Sequence, residues 1–305
     1  MKRFTAGVAL VAALAGCTAP TPDRAQTTLD SVAAPTAVTF DGPSGEPVAL
    51  PHLPATRIVS TMQSATEWIV ALGAESLLVA RTDYDRQPSL AHLPTIGGGS
   101  EPSAELLASL NPDLVIGWRN RGSADVQRTL APFDIPVISM ETTDTADVFL
   151  NLARIGLLVG LPGRADSLAA ALRSELRDAT APCAGGATES AMIVVWSDPP
   201  MTAGAGTWLD QLLGAACLRN AFADVRAPWS TISMEAMTVR QPRWLITSAG
   251  VRPGDRLAEF RSRAGWNALE AVRAGRIIEI PGDLFARAGP TLGQTLRALV
   301  AGRGS

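Results

Sequence analysis

The chain has 305 residues, a net charge of −3 and no basic tract, so we expect no nucleic-acid partner. Its two histidines, His52 and His92, and its three cysteines are too few for a conventional zinc cluster. We therefore expect neither a metal site nor a catalytic cofactor.

The N-terminus has the pattern of an export signal. A basic Met1-Lys2-Arg3 start precedes a short apolar stretch that ends in Leu14-Ala-Gly-Cys17. The last four residues resemble the lipobox of bacterial lipoproteins, which implies a signal peptide over 1–16 and lipidation of Cys17. Residues 17–54, rich in Thr, Ala and Pro, are predicted to be a flexible tether. We expect a lipid-anchored protein in the periplasm or at the cell surface, without a spanning helix.

Residues 55–143 alternate short apolar runs with helical patterns, which is typical of an α/β lobe with a parallel sheet. Ser64-Ala-Thr-Glu67 matches a capping box, opens a helix that closes at Gly73, and gives Glu67 a structural role. Helices are also predicted near 103–110 and 122–131. The predicted strands are Arg57–Ser60, Leu77–Ala80, Leu114–Trp118 and Pro136–Met140.

Residues 144–180 contain only helical patterns, interrupted at Leu161-Pro162-Gly163. This helical linker is predicted to join two α/β lobes as a stiff strut that permits only small opening motions. The second lobe, 181–305, resumes the alternation, and a ligand cleft is expected between the lobes. Its predicted elements are the strand Ala191–Trp196, a helix from Thr207, the strands Trp244–Thr247 and Arg276–Ile280, and a helix over 290–301.

One pattern occurs in both halves. A Ser is followed by Glu two residues later, Pro nine later and Ile thirteen later, starting at Ser103 and again at Ser233. A capping Ser, an acidic first turn, a Pro stop and an apolar strand form one helix-to-strand unit. Two similar lobes are therefore predicted, each presenting an acidic helix start, at Glu105 and at Glu235.

Several segments resemble the substrate-binding proteins of the helical-backbone class, which serve ABC importers of cobalamin, iron–siderophores and haem. The resemblance covers nearly all of residues 55–302 and is closest to proteins that bind cobalamin. It is carried by the segments Arg57–Glu67, Asp83-Tyr-Asp85, Asp113–Arg119, Asp198–Thr202, Arg226–Ser230 and Asp283–Arg287. It implies a two-lobed α/β fold, an ABC importer permease as partner, and Glu105 and Glu235 as the carboxylates that dock onto permease arginines. The simpler interpretation is that each Glu only complements its helix dipole.

Ligand contacts are expected from aromatic side chains in the loops after strands, because a large planar ligand needs flat apolar walls. Asp283 and Arg287 are candidate polar handles. The predicted aromatic residues are Tyr84, Trp118, Trp196 (or its neighbour Val195) and Trp229, whereas Trp68, Trp208, Trp244 and Trp266 are assigned to the core.

Cobalamin is the first ligand hypothesis, with two rivals inside the class. Haem usually takes an axial side chain, for which Tyr84 is the candidate. A siderophore could use Arg81, Arg119 and Arg121. An α/β hydrolase is a remote alternative, because the chain has no Gly-x-Ser-x-Gly elbow and no Ser/His/Asp set. Zinc or manganese import is disfavoured by the scarcity of ligating side chains.

Export also permits a disulfide between Cys183 and Cys217 in the second lobe, which sequence alone leaves open.

Overall fold

The computed structural model describes residues 40–98, 102–180 and 189–304. The predicted signal peptide, the lipidation candidate Cys17, the tether up to residue 39 and Cys183 lie outside these ranges. Residues 40–54, which the sequence placed in the tether, lie against the N-terminal half. Asp41 pairs with Ser139 in an antiparallel bridge, and the Ser139 N–H donates to the Asp41 carbonyl at 2.7 Å. Three side chains of this segment pack on the core: Phe40, Val48 and Leu50.

The N-terminal half is built on a three-stranded parallel sheet in the order β1-β2-β3. Its strands consist almost entirely of buried residues, as expected for a parallel sheet covered on both faces. The strands are β1 (Ile58–Ser60), β2 (Leu114–Trp118) and β3 (Val137–Met140), and the helices are α1 (Gln63–Ala71), α2 (Ala104–Ser109) and α3 (Arg121–Leu130). These elements confirm the predicted alternation.

The predicted strand Leu77–Ala80 is wrong. The chain makes a 3-10 turn over Glu75–Leu77, and only an isolated bridge joins Leu78 to Ile58. Beyond Val79 the chain leaves the sheet edge and forms another isolated bridge, between Arg81 and Thr95.

Two helices, α4 (Thr145–Leu158) and α5 (Pro162–Ala179), form the predicted helical linker. Asp144 and Asp147 form a reciprocal capping box at the start of α4. Gly160, at φ 74°, turns the chain between the two helices. The helices pack against each other, and α5 also packs against the last helix, α11 (Leu292–Arg303). The linker is therefore a pair of packed helices, each of which contributes one buried face to the core.

The C-terminal half contains a four-stranded parallel sheet in the order β10-β9-β4-β7 and a small antiparallel sheet in the order β5-β6-β8. The parallel strands are β4 (Glu189–Val194), β7 (Leu218–Asn220), β9 (Trp244–Ser248) and β10 (Ile277–Ile280); the antiparallel ones are β5 (Trp196–Ser197), β6 (Pro200–Ala203) and β8 (Trp229–Thr231). The remaining helices are α6 (Trp208–Ala215), α7 (Met234–Arg240), α8 (Asp255–Ser262), α9 (Glu270–Arg273) and α10 (Gly282–Ala286).

The antiparallel sheet was not predicted from the sequence, because strands of two to four residues are too short to show an alternation of apolar and polar residues. It also corrects the predicted strand Ala191–Trp196. The first strand ends at Val194, and Trp196 begins β5.

The repeated sequence unit gives the same local structure twice. Ser103 Oγ accepts the Leu106 N–H at 3.3 Å, and Ser233 Oγ accepts the Ala236 N–H at 3.1 Å. Each helix then ends at a left-handed residue directly before its Pro, and each following strand lies inside its sheet. The left-handed residues are Asn111 and Gln241, with φ 47° and 41°.

The largest hydrophobic cluster contains residues of both parallel sheets and of helices α1, α4, α5, α6 and α11. Direct hydrogen bonds also join the halves: the Trp208 N–H donates to the Thr143 carbonyl at 2.8 Å, and the Thr145 N–H donates to Gln211 Oε1 at 2.8 Å. The shared core fixes the two sheets relative to each other. Across the described ranges, no helix combines the length and apolar character needed to cross a membrane.

Candidate ligand-binding site

A cavity of about 480 Å³ lies between the halves. The residues described in its wall are apolar, aromatic or small and polar, and none is charged. The N-terminal half contributes Ser64, Trp118 and Thr142, whereas the C-terminal half contributes most of the wall, including Val195, Trp196, Trp208, Trp229, Ser248 and Phe285. We refer to this space as the aromatic cavity.

Three of the predicted ligand-binding aromatics meet in the aromatic cavity. Trp118 ends β2, at the carboxyl edge of the parallel sheet where ligands of α/β folds bind. Trp196 and Trp229 start two strands of the small antiparallel sheet. The Trp196 indole N–H donates to the Asp198 carbonyl at 2.8 Å, which orients a ring that is otherwise 63% exposed. Val195, the predicted substitute for Trp196, lines the same wall.

Trp208 also lines the aromatic cavity, although the sequence assigned it only to the core. It is the first residue of α6 and is 4% exposed, so it is both buried and part of the wall. One sequence feature pointed to this position: Trp208 directly follows the capping residue Thr207, and helical side chains point back toward the N-terminus of their helix.

The predicted polar handles lie beside the aromatic cavity. Arg287 is absent from the described wall, and its guanidinium contacts three groups: Glu67 Oε1 at 2.6 Å, the Tyr84 carbonyl at 3.0 Å and Asp283 Oδ1 at 3.2 Å. Asp283 is largely exposed. The Tyr84 side chain is 53% exposed and is also absent from the described wall. The structure thus joins Tyr84, Asp283 and Arg287 in a bridge between the halves, adjacent to the three tryptophans.

Glu67 is a partner of Arg287 that the sequence did not reveal, and its predicted capping role is wrong. Helix α1 begins at Gln63, its N-cap is Met62, and no side chain caps it. Ser64 is therefore inside the helix and lines the cavity, while Glu67 reaches Arg287 from the other half. No local pattern could have revealed a partner 220 positions away.

Burial dominates the electrostatics of this bridge. It raises the pKa of Glu67 above its ordinary value, against the opposing hydrogen bond and charge of Arg287. Burial likewise raises the pKa of Asp85, although Thr82 donates two hydrogen bonds to this carboxylate at 2.8 Å. Glu67 Oε2 and Asp85 Oδ1 are both buried without a hydrogen-bond partner. One arginine therefore serves two desolvated carboxylates.

A second, more polar cavity of about 370 Å³ adjoins the first and shares Trp118, Thr142 and Trp229 with it. The remaining residues of its described wall are Arg119, Asn120, Glu141 and Thr143. We call this space the polar annex.

The two acidic helix starts, Glu105 and Glu235, are exposed in the first turns of α2 and α7. Their role in docking remains a prediction.

In the described ranges, no group of three or more His, Cys, Asp or Glu side chains is placed to hold a metal ion. Cys217 is disulfide-bonded and buried. Its predicted partner, Cys183, lies outside the described residues.

Comparison with known proteins identifies the architecture. The sequence model of the family described as periplasmic binding protein matches residues 58–284. An uncharacterized ABC transporter substrate-binding lipoprotein of Bacillus subtilis is 29% identical over 262 residues, covering 84% of this chain and 82% of that protein. A vitamin B12-binding protein of Photorhabdus laumondii is 26% identical over 237 residues, covering 77% and 83%. The crystal structure of a periplasmic heme-binding protein from Pseudomonas aeruginosa matches with a TM-score of 0.72 at 28% identity, covering 81% and 92%.

The family match extends from β1 to α10 and so includes both parallel sheets, the helical linker and most of the cavity wall. The two-lobed α/β prediction is confirmed. The chain belongs to the periplasmic binding protein family, in its helical-backbone class, and is an ABC-type substrate-binding protein.

Proposed function

We propose that this protein captures cobalamin in the aromatic cavity and delivers it to the permease of an ABC importer. The observation that carries the proposal is the wall itself, whose described residues include no charged side chain and four tryptophans: Trp118, Trp196, Trp208 and Trp229. Flat aromatic faces suit the large macrocycle of a corrinoid. The hydroxyls of Ser64, Thr142 and Ser248 suit the amides at its rim.

The same wall argues against haem. Haem iron in proteins usually takes a His, Cys, Met or Tyr ligand, and none of these occurs in the described wall of the aromatic cavity. Tyr84, the predicted axial candidate, lies in the bridge beside it. The cobalt of cyanocobalamin already has both axial positions occupied, so a wall without ligating side chains suits it. The resemblance to a vitamin B12-binding protein supports the same choice.

A siderophore site built from the three predicted arginines has less support. Arg81 donates to the carbonyl of Thr82 at 3.2 Å, and Arg121 starts α3; neither is in the described wall of either cavity. Arg119 lines the polar annex, between Asp41 at 3.5 Å and Glu141 at 3.6 Å. These arginines therefore do not form one basic pocket for chelating oxygens.

Calorimetric titration of the mature protein with cyanocobalamin, hemin and a ferric hydroxamate tests this proposal. Cyanocobalamin should bind saturably, and Trp196→Ala should weaken it about tenfold or more, as expected for loss of an aromatic anchor. Phe133→Ala is the matched control, because Phe133 is 60% exposed, close to the 63% of Trp196, and lies outside both described walls. Absence of cyanocobalamin binding at micromolar concentration, with a Soret shift on adding hemin, would overturn the choice of ligand.

Docking on the permease is proposed to use Glu105 and Glu235. Two exposed carboxylates at Ser-capped helix starts can set register against a basic partner, affecting orientation and association rate more than affinity. The double variant Glu105→Gln/Glu235→Gln should slow association with permease in nanodiscs, most strongly at low salt, and leave ligand affinity unchanged. Asp166→Asn is the control, since Asp166 is an exposed carboxylate on the linker helix α5. Equal association rates for all three proteins would exclude this role.

Export and anchoring complete the proposal. We propose cleavage after residue 16, lipidation of Cys17, and lobes over 55–143 and 181–305 joined by the linker 144–180. Incorporation of labelled palmitate in cells, lost in Cys17→Ser, tests the anchor.

A further inference from the structure

The polar annex opens directly off the aromatic cavity. The two spaces share Trp118, Thr142 and Trp229, so a ligand between the tryptophans can extend into the annex. Its volume of about 370 Å³ equals roughly a dozen waters at about 30 Å³ each. That is more room than one amide side chain needs and enough for a sugar.

The annex wall offers hydrogen-bond donors. Arg119 is one-third exposed, and its contacts to Asp41 and Glu141 are long, at 3.5 and 3.6 Å, which leaves guanidinium N–H groups available. The oxygen of Asn120 caps α3 by accepting the Ser123 N–H at 2.9 Å, so its amide N–H₂ remains a donor. Thr142 Oγ1 accepts from Asn151 at 3.1 Å and keeps its own O–H.

The annex wall also offers an acceptor, and its charges balance. The Glu141 carboxylate is about half exposed and faces Arg119, so these two wall residues sum to zero charge. Behind Arg119, Asp41 is also paired with Arg154 at 4.0 Å, so the two arginines and two carboxylates together sum to zero charge. An anionic group would meet the Glu141 carboxylate in a wall that carries no net positive charge, whereas a hydroxyl can donate to Glu141 and accept from Arg119 at once. The annex chemistry therefore fits an uncharged, hydroxyl-bearing group.

We propose that the polar annex is a second ligand subsite, which binds a hydroxyl-bearing arm attached to the planar group held by the tryptophans. This inference rests on the proposed function. In cobalamin the arm is the ribose of the nucleotide loop, with Glu141 accepting from a ribose hydroxyl and Arg119 donating to one.

The test compares cyanocobalamin with dicyanocobinamide, which has the same macrocycle and no nucleotide loop. The wild-type protein should bind cyanocobalamin about tenfold more tightly, the contribution of one or two hydrogen bonds. Arg119→Leu and Glu141→Leu should each remove most of that preference without changing cobinamide affinity. Arg121→Leu is the control and should retain the preference, because Arg121 lies two residues further on and outside both described walls.

Each outcome separates the hypotheses. Equal wild-type affinities for the two corrinoids, or equal losses of both in the variants, would overturn the subsite and leave the aromatic cavity intact. Tighter cyanocobalamin binding by Glu141→Leu would show that the annex holds the phosphate, and would refute the hydroxyl assignment. Failure of both corrinoids to bind would remove the proposed function and the subsite with it. Arg119 also contacts Asp41 at 3.5 Å, so its replacement can impair folding. If Arg119→Leu does not fold, Glu141→Leu alone provides the test.

Discussion

The ion pair between Arg287 and Glu67 joins the two halves, and we predict that replacing its cation destabilises the protein more than replacing its carboxylate. Arg287 and Glu67 form an ion pair whose side chains are each only 14% exposed, and the negative charges of Asp283 and of the buried Asp85 also act on Glu67. The informative perturbations are Arg287→Met, which removes the cation at similar length, and Glu67→Gln, which removes one carboxylate charge at nearly constant shape.

The expected loss of unfolding free energy depends on which buried charge loses its partner. Arg287→Met leaves Glu67 buried without its ion-pair partner, and breaking a buried pair in this way costs about 3–5 kcal/mol. At about 2–4 °C per kcal/mol for a chain of this size, the melting temperature should fall by roughly 6–20 °C. Glu67→Gln removes a carboxylate whose pKa burial already raises despite Arg287, so its charged form is disfavoured in the fold.

Arg287 in the Glu67→Gln variant keeps Asp283 at 3.2 Å and the Tyr84 carbonyl at 3.0 Å. The free energy of unfolding should therefore stay within about 1 kcal/mol of wild type, because attraction and desolvation are lost together. In the double variant, Glu67→Gln should recover part of the loss caused by Arg287→Met, since the buried carboxylate that Arg287 paired with is then also gone.

The assay is urea and thermal unfolding of the four proteins at pH 7, followed by circular dichroism and analysed as a double-mutant cycle. The reasoning is refuted if Glu67→Gln is as destabilising as Arg287→Met, because the ion pair would then be a net source of stability. It is equally refuted if Arg287→Met is neutral.

Three other predictions concern the bridge, the cavity wall and the helix caps. Because burial raises the pKa of Glu67 and of Asp85, the folded protein binds their protons more tightly than the unfolded chain does. The contribution of each to stability should therefore grow as pH falls through its raised pKa toward its ordinary value of 4.5 or 3.8. Denaturant titrations from neutral pH down to 4.5 should show a shallower rise in unfolding free energy for Glu67→Gln than for wild type, and identical profiles would contradict this. Trp208→Ala should destabilise the protein by about 3–5 kcal/mol, because Trp208 is buried. Trp196→Ala should weaken ligand binding and leave the melting temperature nearly unchanged, because Trp196 is exposed. A large fall in the melting temperature of Trp196→Ala would indicate a core role for this residue. Ser233→Ala should lower the unfolding free energy by about 0.5–2 kcal/mol through loss of the cap on α7. A loss of unfolding free energy no greater than that of a Ser→Ala substitution at an exposed, non-capping position would argue against the cap.

Local features of the chain were predictable because their causes are local. The helix-to-strand unit is defined by a capping Ser, an early Pro stop and an apolar run, and both copies fold as expected, with Ser103 and Ser233 as caps. The glycine and proline breaks around residue 161 likewise mark the turn between α4 and α5. Trp118, Trp196 and Trp229 could be singled out because aromatics are only 5% of the residues and these three lie at predicted strand ends or in a loop. Their contact with a ligand stays a prediction.

Local patterns failed where a residue's partner is distant. Ser64 and Glu67 match a capping box, but in the folded protein Ser64 lies in the cavity wall and Glu67 pairs with Arg287 of the C-terminal half. The Leu77–Ala80 run has strand composition, yet a strand requires a neighbour along its whole length, and only Ile58 is available.

The amino-acid sequence by itself therefore determined the alternation of helices and parallel strands in each half, the two matched units, the family and three tryptophans that line the cavity, because periodicity, capping and motif residues act over a few positions. Only the tertiary structure decided that Glu67 meets Arg287, that Trp208 faces the cavity, and that a polar annex opens beside the tryptophans. Those features arise where segments far apart in the chain are brought into contact, and burial at such contacts shapes the site and raises the pKa of Glu67 and of Asp85 beside it.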